Sequence, residues 1–169
     1  ELIKKAGIER RIYTAGKNKS TLDPFVEEKF ISSMGCQQIS KDEGLKISDY
    51  ISMHLPLNEK TKNFIGINEF QIMKPNCILV NTARGGVVDE QSLYEALEKK
   101  QIAGAGLDVF EKEPLPKTSP LWDHPKVKIT PHVASLTYPK ESTRQVLNCF
   151  SRLEKGLSLP NQVDRTKMY

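Results

Sequence analysis

The fold is indicated most clearly by the sequence CILVNTARGG at residues 77–86. Its first four residues, Cys77 to Val80, form a continuous apolar run, which is typical of a strand buried on both faces of a parallel sheet. The polar residues and the two glycines that follow predict a loop after this strand. Because ligands bind beyond the carboxyl ends of strands in open α/β sheets, this loop is a candidate binding site.

Predicted strands and helices alternate on both sides of this stretch. Strands are predicted at residues 8–13, 50–55, 77–80, 103–109 and 127–130. Helices are predicted at 68–73, after Asp89, which is a good N-cap, and from Pro139 to 157, where apolar residues recur at helical spacing. This order predicts an α/β fold in which a parallel sheet carries helices on its faces.

Composition excludes several other classes of protein. The chain has 169 residues, a net charge of +4 and no apolar run long enough to span a membrane, so neither a membrane nor a nucleic-acid partner is expected. Three widely separated cysteines exclude a disulfide framework and favour a reducing, cytoplasmic location. The three histidines lack the spacing of metal ligands, so we expect no metal site.

Three chemically useful side chains follow three of the predicted strands, namely Arg84, Glu113 and His132. Each has an ordinary explanation when taken alone, as a surface arginine, a solvated loop acid or a structural histidine. Together at one sheet edge they predict a reaction centre in which the arginine binds an anionic substrate and the histidine moves a proton. The glutamate would orient the histidine.

Several ordered motifs make the chain recognisable. They are MKP at 73–75, VNTARGGVVDE at 80–90, GLDVF at 106–110, EP at 113–114 and TPHVA at 130–134. Residues from about 45 to 169 resemble the C-terminal part of the D-isomer-specific 2-hydroxyacid dehydrogenases. The stretches EPLP at 113–116, SPLW at 119–122, HP at 124–125 and QVDR at 162–165 are similar to those of the glyoxylate/hydroxypyruvate reductase A subgroup.

This resemblance implies the carboxyl half of a Rossmann-type cofactor domain that reduces a small 2-keto acid with NAD or NADP as cofactor. It implies that Arg84 binds the substrate carboxylate and keto oxygen, that His132 protonates the keto oxygen and that Glu113 is the partner of His132. It implies that Asp108 accepts a hydrogen bond from the nicotinamide amide. The cofactor-binding residues that it implies are Leu55, Pro56, Thr61, Thr82, Ala83, Arg84, Asp108, His132 and Ala134.

The N-terminal stretch has a different resemblance. With GIERRIYTAGKNKS at 7–20 and LDPF at 22–25, residues 6–29 resemble a segment of the signal peptide peptidase A family. We therefore expect residues 1–29 to be an unrelated, loosely packed segment, with a basic solvated arm as the alternative. Residues 30–150 would then be a partial dinucleotide-binding domain, and residues 151–169 a tail belonging to a substrate domain.

The sequence offers no good candidate for the glycine-rich turn that holds a dinucleotide pyrophosphate. Gly104 and Gly106 have the first part of its spacing, but they lie inside a predicted strand instead of opening a helix. The alternative function is therefore a non-catalytic truncated or fused remnant without turnover. An uncovered sheet edge would also allow a homodimer to form.

Overall fold

A computed structural model describes residues 12–15, 29, 39–135, 137–160 and 162 of the chain. The chain divides into two compact units, Glu1–His132 and Val133–Tyr169. The division that the sequence predicts at residues 29 and 150 stays a prediction. Within the described ranges, none of the helices has the length and apolar character needed to cross a membrane.

The first unit contains a sheet of five parallel strands. They are β1 (Ile12–Ala15), β2 (Tyr50–Met53), β3 (Ile78–Asn81), β4 (Gly104–Leu107) and β5 (Val127–Ile129). Their order in the sheet is their order in the chain, and every neighbouring pair is parallel. The predicted parallel α/β sheet is thus confirmed, and the loops that follow its strands lie at one edge.

Residues 108–126, between β4 and β5, contain no helix, and the other strands are connected by helices. The helices are α1 (Lys41–Ile47), α2 (Ile67–Ile72) and α3 (Glu90–Glu98), and a short 3₁₀ helix spans Gly85–Val87. The predicted N-cap of α3 is confirmed, because the Asp89 carboxylate accepts a hydrogen bond of 2.6 Å from the Ser92 N–H. The apolar residues Leu93, Ala96 and Leu97 of α3 are buried in the core.

The core lies on one face of the sheet. Side chains alternate between faces along a strand, and in β3 this places Leu79 and Asn81 in the core while Ile78 and Val80 stay half-buried. The prediction that this strand is buried on both faces is therefore wrong. A depression of about 400 Å³ lies on the opposite face. It is lined by Ile78, Val80, residues 103–106, Pro125, Lys126 and Lys128.

The second unit contains one long helix, α4 (Pro139–Glu154). It begins with a proline in its first turn, as the sequence predicts, because the missing N–H costs nothing there. Its apolar residues Val146, Phe150 and Leu153 are each more than half exposed. The helix therefore has an exposed apolar stripe in this structure.

Candidate active site

The loop that presents Arg84 is held by a buried side chain. Asn81, the last residue of β3, is 1% exposed. Its Oδ1 accepts a hydrogen bond of 3.1 Å from the Ala83 N–H, and its Nδ2 donates one of 3.0 Å to the Arg84 carbonyl. An asparagine that bonds to the backbone two and three residues ahead fixes a tight turn. The chain leaves β3 along a defined path toward Arg84.

Gly85 brings this loop against the loop that follows β4. A Cβ atom built on Gly85 would lie 1.8 Å from the carbonyl carbon of Phe110 and 2.2 Å from the backbone nitrogen of Glu111. Only a residue without a side chain allows two backbones to approach so closely. This contact brings the backbone next to Arg84 against the loop that leads to Glu113.

Glu113 and His132 form the hydrogen bond that the sequence predicts. His132 Nδ1 lies 2.8 Å from Glu113 Oε2, and the other carboxylate oxygen accepts a 3.0 Å hydrogen bond from the Phe110 N–H. The bond from His132 and then the Phe110 N–H lower the pKa of the Glu113 carboxyl below its ordinary value. Since an ionised carboxylate can only accept, Nδ1 carries the shared proton and Nε2 is left for chemistry.

Arg84 follows β3 at the same carboxyl end of the sheet as this pair. Its positive charge contributes to the lowered pKa of Glu113, although less than the hydrogen bonds do. The side chain is exposed, and its Nη1 donates a 2.7 Å hydrogen bond to the Ala83 carbonyl. A guanidinium presented in this way can bind a carboxylate with two parallel hydrogen bonds.

The backbone of His132 is strained. Its φ of 56° lies in the left-handed region, which a residue with a Cβ atom seldom adopts. Such a conformation costs of the order of 1–3 kcal/mol, and strain of this kind clusters at functional sites. The side chain is about half exposed.

Asp108, at the end of β4, is linked to the strands on both sides. Its carboxylate accepts a short hydrogen bond from the Thr130 hydroxyl, and its N–H donates a 3.0 Å bond to the Asn81 carbonyl. It is 3% exposed. Asp108 is thus a buried acid at the carboxyl end of the sheet.

The remaining predicted cofactor residues lie in three places. Leu55 is buried, and Pro56 after it accepts a 2.6 Å hydrogen bond through its carbonyl from the Thr61 hydroxyl, which orders the loop after β2. Thr82 and Ala83 lie in the loop after β3. Ala134 is exposed and belongs to the second unit. The roles of all these residues stay predictions.

Sequence reasoning assigned no role to Asn81 or Thr130. A signal for Asn81 was present, because it lies two residues after the buried Leu79 and therefore on the same face of the strand. A polar residue at a core position requires bonding partners, and the nearest ones are in the adjacent loop. No comparable pattern marks Thr130, whose partner Asp108 is 22 residues away.

With this geometry established, comparison with known proteins gives a clear result. Residues 7–134 match the sequence model of "D-isomer specific 2-hydroxyacid dehydrogenase, NAD binding domain". The chain is 38% identical over 162 residues to a glyoxylate reductase from Korarchaeum cryptofilum, which covers 95% of this chain and 49% of that protein. It is 44% identical over 115 residues to a glyoxylate/hydroxypyruvate reductase A from Escherichia fergusonii, covering 68% of this chain and 37% of the relative.

A solved structure is similar as well. The D-isomer specific 2-hydroxyacid dehydrogenase from Xanthobacter autotrophicus Py2, in complex with NADPH and MES, superposes with a TM-score of 0.74 at 38% identity. The match covers 76% of this chain and 53% of that one. The chain thus spans about half the length, or less, of the proteins that it matches.

The resemblance of residues 6–29 to signal peptide peptidases is not supported. The dehydrogenase model already matches from residue 7. In the structure, Ile12–Ala15 form β1 and pair with β2 in the same sheet. This strand therefore belongs to the dehydrogenase sheet, while the residues from 16 to 28 lie outside the described part of the chain.

Proposed function

The chain belongs to the D-isomer specific 2-hydroxyacid dehydrogenases, and we propose that it serves the NADH- or NADPH-dependent reduction of glyoxylate or hydroxypyruvate to the 2-hydroxyacid. The observation that carries the proposal is the 2.8 Å contact between His132 and Glu113, beside the loop that presents Arg84. The names of the relatives from Korarchaeum and Escherichia support the choice of substrate.

The three side chains divide the work of reducing a keto acid. Arg84 binds the substrate carboxylate and keeps the keto oxygen near His132. Nδ1 of His132 stays bonded to Glu113, so Nε2 is the atom that delivers a proton to the keto oxygen. Glu113 prevents rotation of the imidazole ring. When bound, the reduced nicotinamide cofactor supplies the hydride that this proton accompanies.

The described residues fit one part of such a cofactor. Thr82 follows β3 and Asp108 follows β4, which is the neighbouring strand, so a hydroxyl and a carboxylate for a carboxamide group occur at adjacent strand ends. The loop at Leu55 and Thr61 follows β2 at the same edge, on the side that would receive the adenosine half.

The alternative is a remnant without turnover, because the 169 residues contain no good candidate for the glycine-rich turn that holds the pyrophosphate. Such a turn gives the pyrophosphate several backbone N–H groups, each worth roughly 1.5–3 kcal/mol as a charge-assisted bond. The loss of two or three of them costs on the order of 5 kcal/mol, which takes a ~μM cofactor affinity to the ~mM range. Turnover must therefore be sought at millimolar cofactor.

The test follows the oxidation of NADH and of NADPH by the purified chain with glyoxylate and with hydroxypyruvate. We expect slow turnover that falls by roughly 10²–10⁴-fold in His132→Ala, since this is the usual contribution of a general acid. Arg84→Lys should raise the KM for the keto acid, whereas Arg144→Lys, an exposed arginine on α4 paired with Glu141, should not.

Two outcomes would contradict the proposal. Turnover that survives in His132→Ala would mean that His132 is not the acid. An absence of turnover at millimolar cofactor, with folding intact, would favour the remnant.

A further inference from the structure

We propose that Asn81 is a positioning residue for Arg84, in that its buried amide fixes the turn from which the guanidinium reaches the substrate. The inference rests on the proposed role of Arg84 as the residue that binds the keto acid. It adds a residue that touches neither substrate nor cofactor and that acts through the backbone.

Asn81 is a polar residue in a buried position, so its amide requires hydrogen-bonding partners. The residue lies at a core position of β3, two residues after Leu79 and paired in register with Met53 on one side and Leu107 on the other, all three of which are buried. An apolar side chain at this position would gain free energy from burial. An amide there is costly unless it is fully hydrogen-bonded.

Both polar atoms of the Asn81 amide form hydrogen bonds with the loop that follows β3. Oδ1 accepts from the Ala83 N–H and Nδ2 donates to the Arg84 carbonyl, at 3.1 and 3.0 Å. The same carbonyl also accepts from the Val87 N–H at 3.2 Å, which starts the 3₁₀ helix. The Thr82–Ala83 peptide group, one residue before Arg84, and the Arg84–Gly85 peptide group after it are therefore held. The backbone of Arg84 between them is extended, with φ of −148° and ψ of 143°.

The main chain of Asn81 extends this effect to the neighbouring strand. Its carbonyl accepts the 3.0 Å hydrogen bond from Asp108, the acid at the end of β4. Asn81 is thus hydrogen-bonded to the backbone of Arg84 through its side chain and to the backbone of Asp108 through its main chain. Loss of the side-chain amide should release the backbone at Arg84 and leave the hydrogen bond to Asp108 in place.

The experiment compares three variants of the protein. Asn81→Ala removes both side-chain hydrogen bonds. Asn81→Asp has nearly the same size and keeps the acceptor for Ala83, but it places an oxygen against the Arg84 carbonyl. Leu79→Ala is the matched control, because it removes core volume from the same face of the same strand and makes none of these bonds.

The first measurement is independent of catalysis. Backbone ¹⁵N relaxation should give order parameters of about 0.85 at Ala83 and Arg84 in the unaltered protein and below about 0.6 in Asn81→Ala. Leu79→Ala should leave both values high. An ordered loop in Asn81→Ala, or an equal loss of order in Leu79→Ala, would overturn the inference even if the protein turned out to lack reductase activity.

The second measurement is steady-state kinetics with glyoxylate. In both Asn81 variants we expect KM to rise about tenfold or more, equivalent to about 1.4 kcal/mol, and to rise by a larger factor than kcat falls. In Asn81→Asp the KM should recover at lower pH, because a protonated carboxyl can again donate to the Arg84 carbonyl. A KM equal to that of the unaltered protein would refute the positioning role, whereas no turnover by the unaltered protein would refute only the proposed function.

Discussion

The sharpest prediction concerns Gly85. Replacing it with alanine places a methyl group 1.8 Å from the Phe110 carbonyl carbon and 2.1 Å from its oxygen, where at least 3.0 Å is needed, so the two loops must separate by more than 1 Å. The atoms in the way are backbone and cannot move aside by a side-chain rotation. Its φ lies outside the left-handed region, so the cost arises from space alone.

The expected loss of stability is about 3 kcal/mol, the upper part of the range for overpacking, because backbone has to shift. For a chain of this size, this corresponds to a Tm lower by roughly 10 °C and, in urea, to a midpoint lower by about 1 M or more. A displacement of about 1 Å between reacting groups can also cost roughly 10²-fold in rate.

The assay is urea unfolding followed by circular dichroism, with Gly106→Ala as the control. A Cβ on Gly106 would meet only Val80 methyl groups, at 3.8 and 4.0 Å, which is ordinary contact. That variant should therefore unfold at or slightly above the midpoint of the unaltered protein. Equal midpoints for Gly85→Ala and Gly106→Ala would show that the two loops do not meet as described.

Three further predictions concern titratable groups. The pKa of Glu113, measured by ¹³C NMR, should lie below its ordinary value and rise toward it in His132→Ala, because the hydrogen bond from His132 is the largest cause of the shift. The associated stability is present above the ordinary pKa and is lost as pH falls through the pKa of the folded state. A Glu113 pKa that is the same in His132→Ala would contradict the contact. Burial raises the pKa of Glu90, so its ionised form is disfavoured in the folded chain. Glu90→Gln should therefore have a higher urea midpoint at pH 7, and this gain should vanish near about pH 4, where the carboxyl is protonated in both states. A gain in the midpoint that does not depend on pH would contradict this reasoning. Burial also raises the pKa of the Cys77 thiol to about 12, so iodoacetamide at pH 8 should alkylate Cys77 only after unfolding. Peptide mass spectrometry measures this labelling, and rapid labelling of the folded chain would be inconsistent with the buried position.

Much of the fold could be predicted because short stretches of sequence specify its individual strands and helices. The apolar runs, the Asp89 cap and Pro139 at the start of α4 each act within a few residues of the element that they specify. Burial on both faces of β3 was predicted wrongly, because an apolar run shows that a strand can be buried without showing what covers Ile78 and Val80.

The catalytic pair could be predicted for a similar reason. Parallel strands place the residues after them at one edge, so Glu113 and His132 meet although 19 residues separate them. The turn at Asn81 is local and left a signal in the sequence, namely a polar residue at a core position of β3. The backbone contact at Gly85 depends on a distance between two loops, which no residue pattern states. The left-handed backbone of His132 is likewise a property of the folded chain alone.

The order of the strands has a consequence for how the chain folds. Each strand pairs with the next one along the sequence, and the pairs from β2 onward join residues 22 to 28 apart, from Tyr50 with Ile78 to Ala105 with Val127. Loop closure then costs nearly the same at every step, because its entropy changes only slowly with length. No pairing has to wait for a distant part of the chain, and the sheet can grow strand by strand from any neighbouring pair.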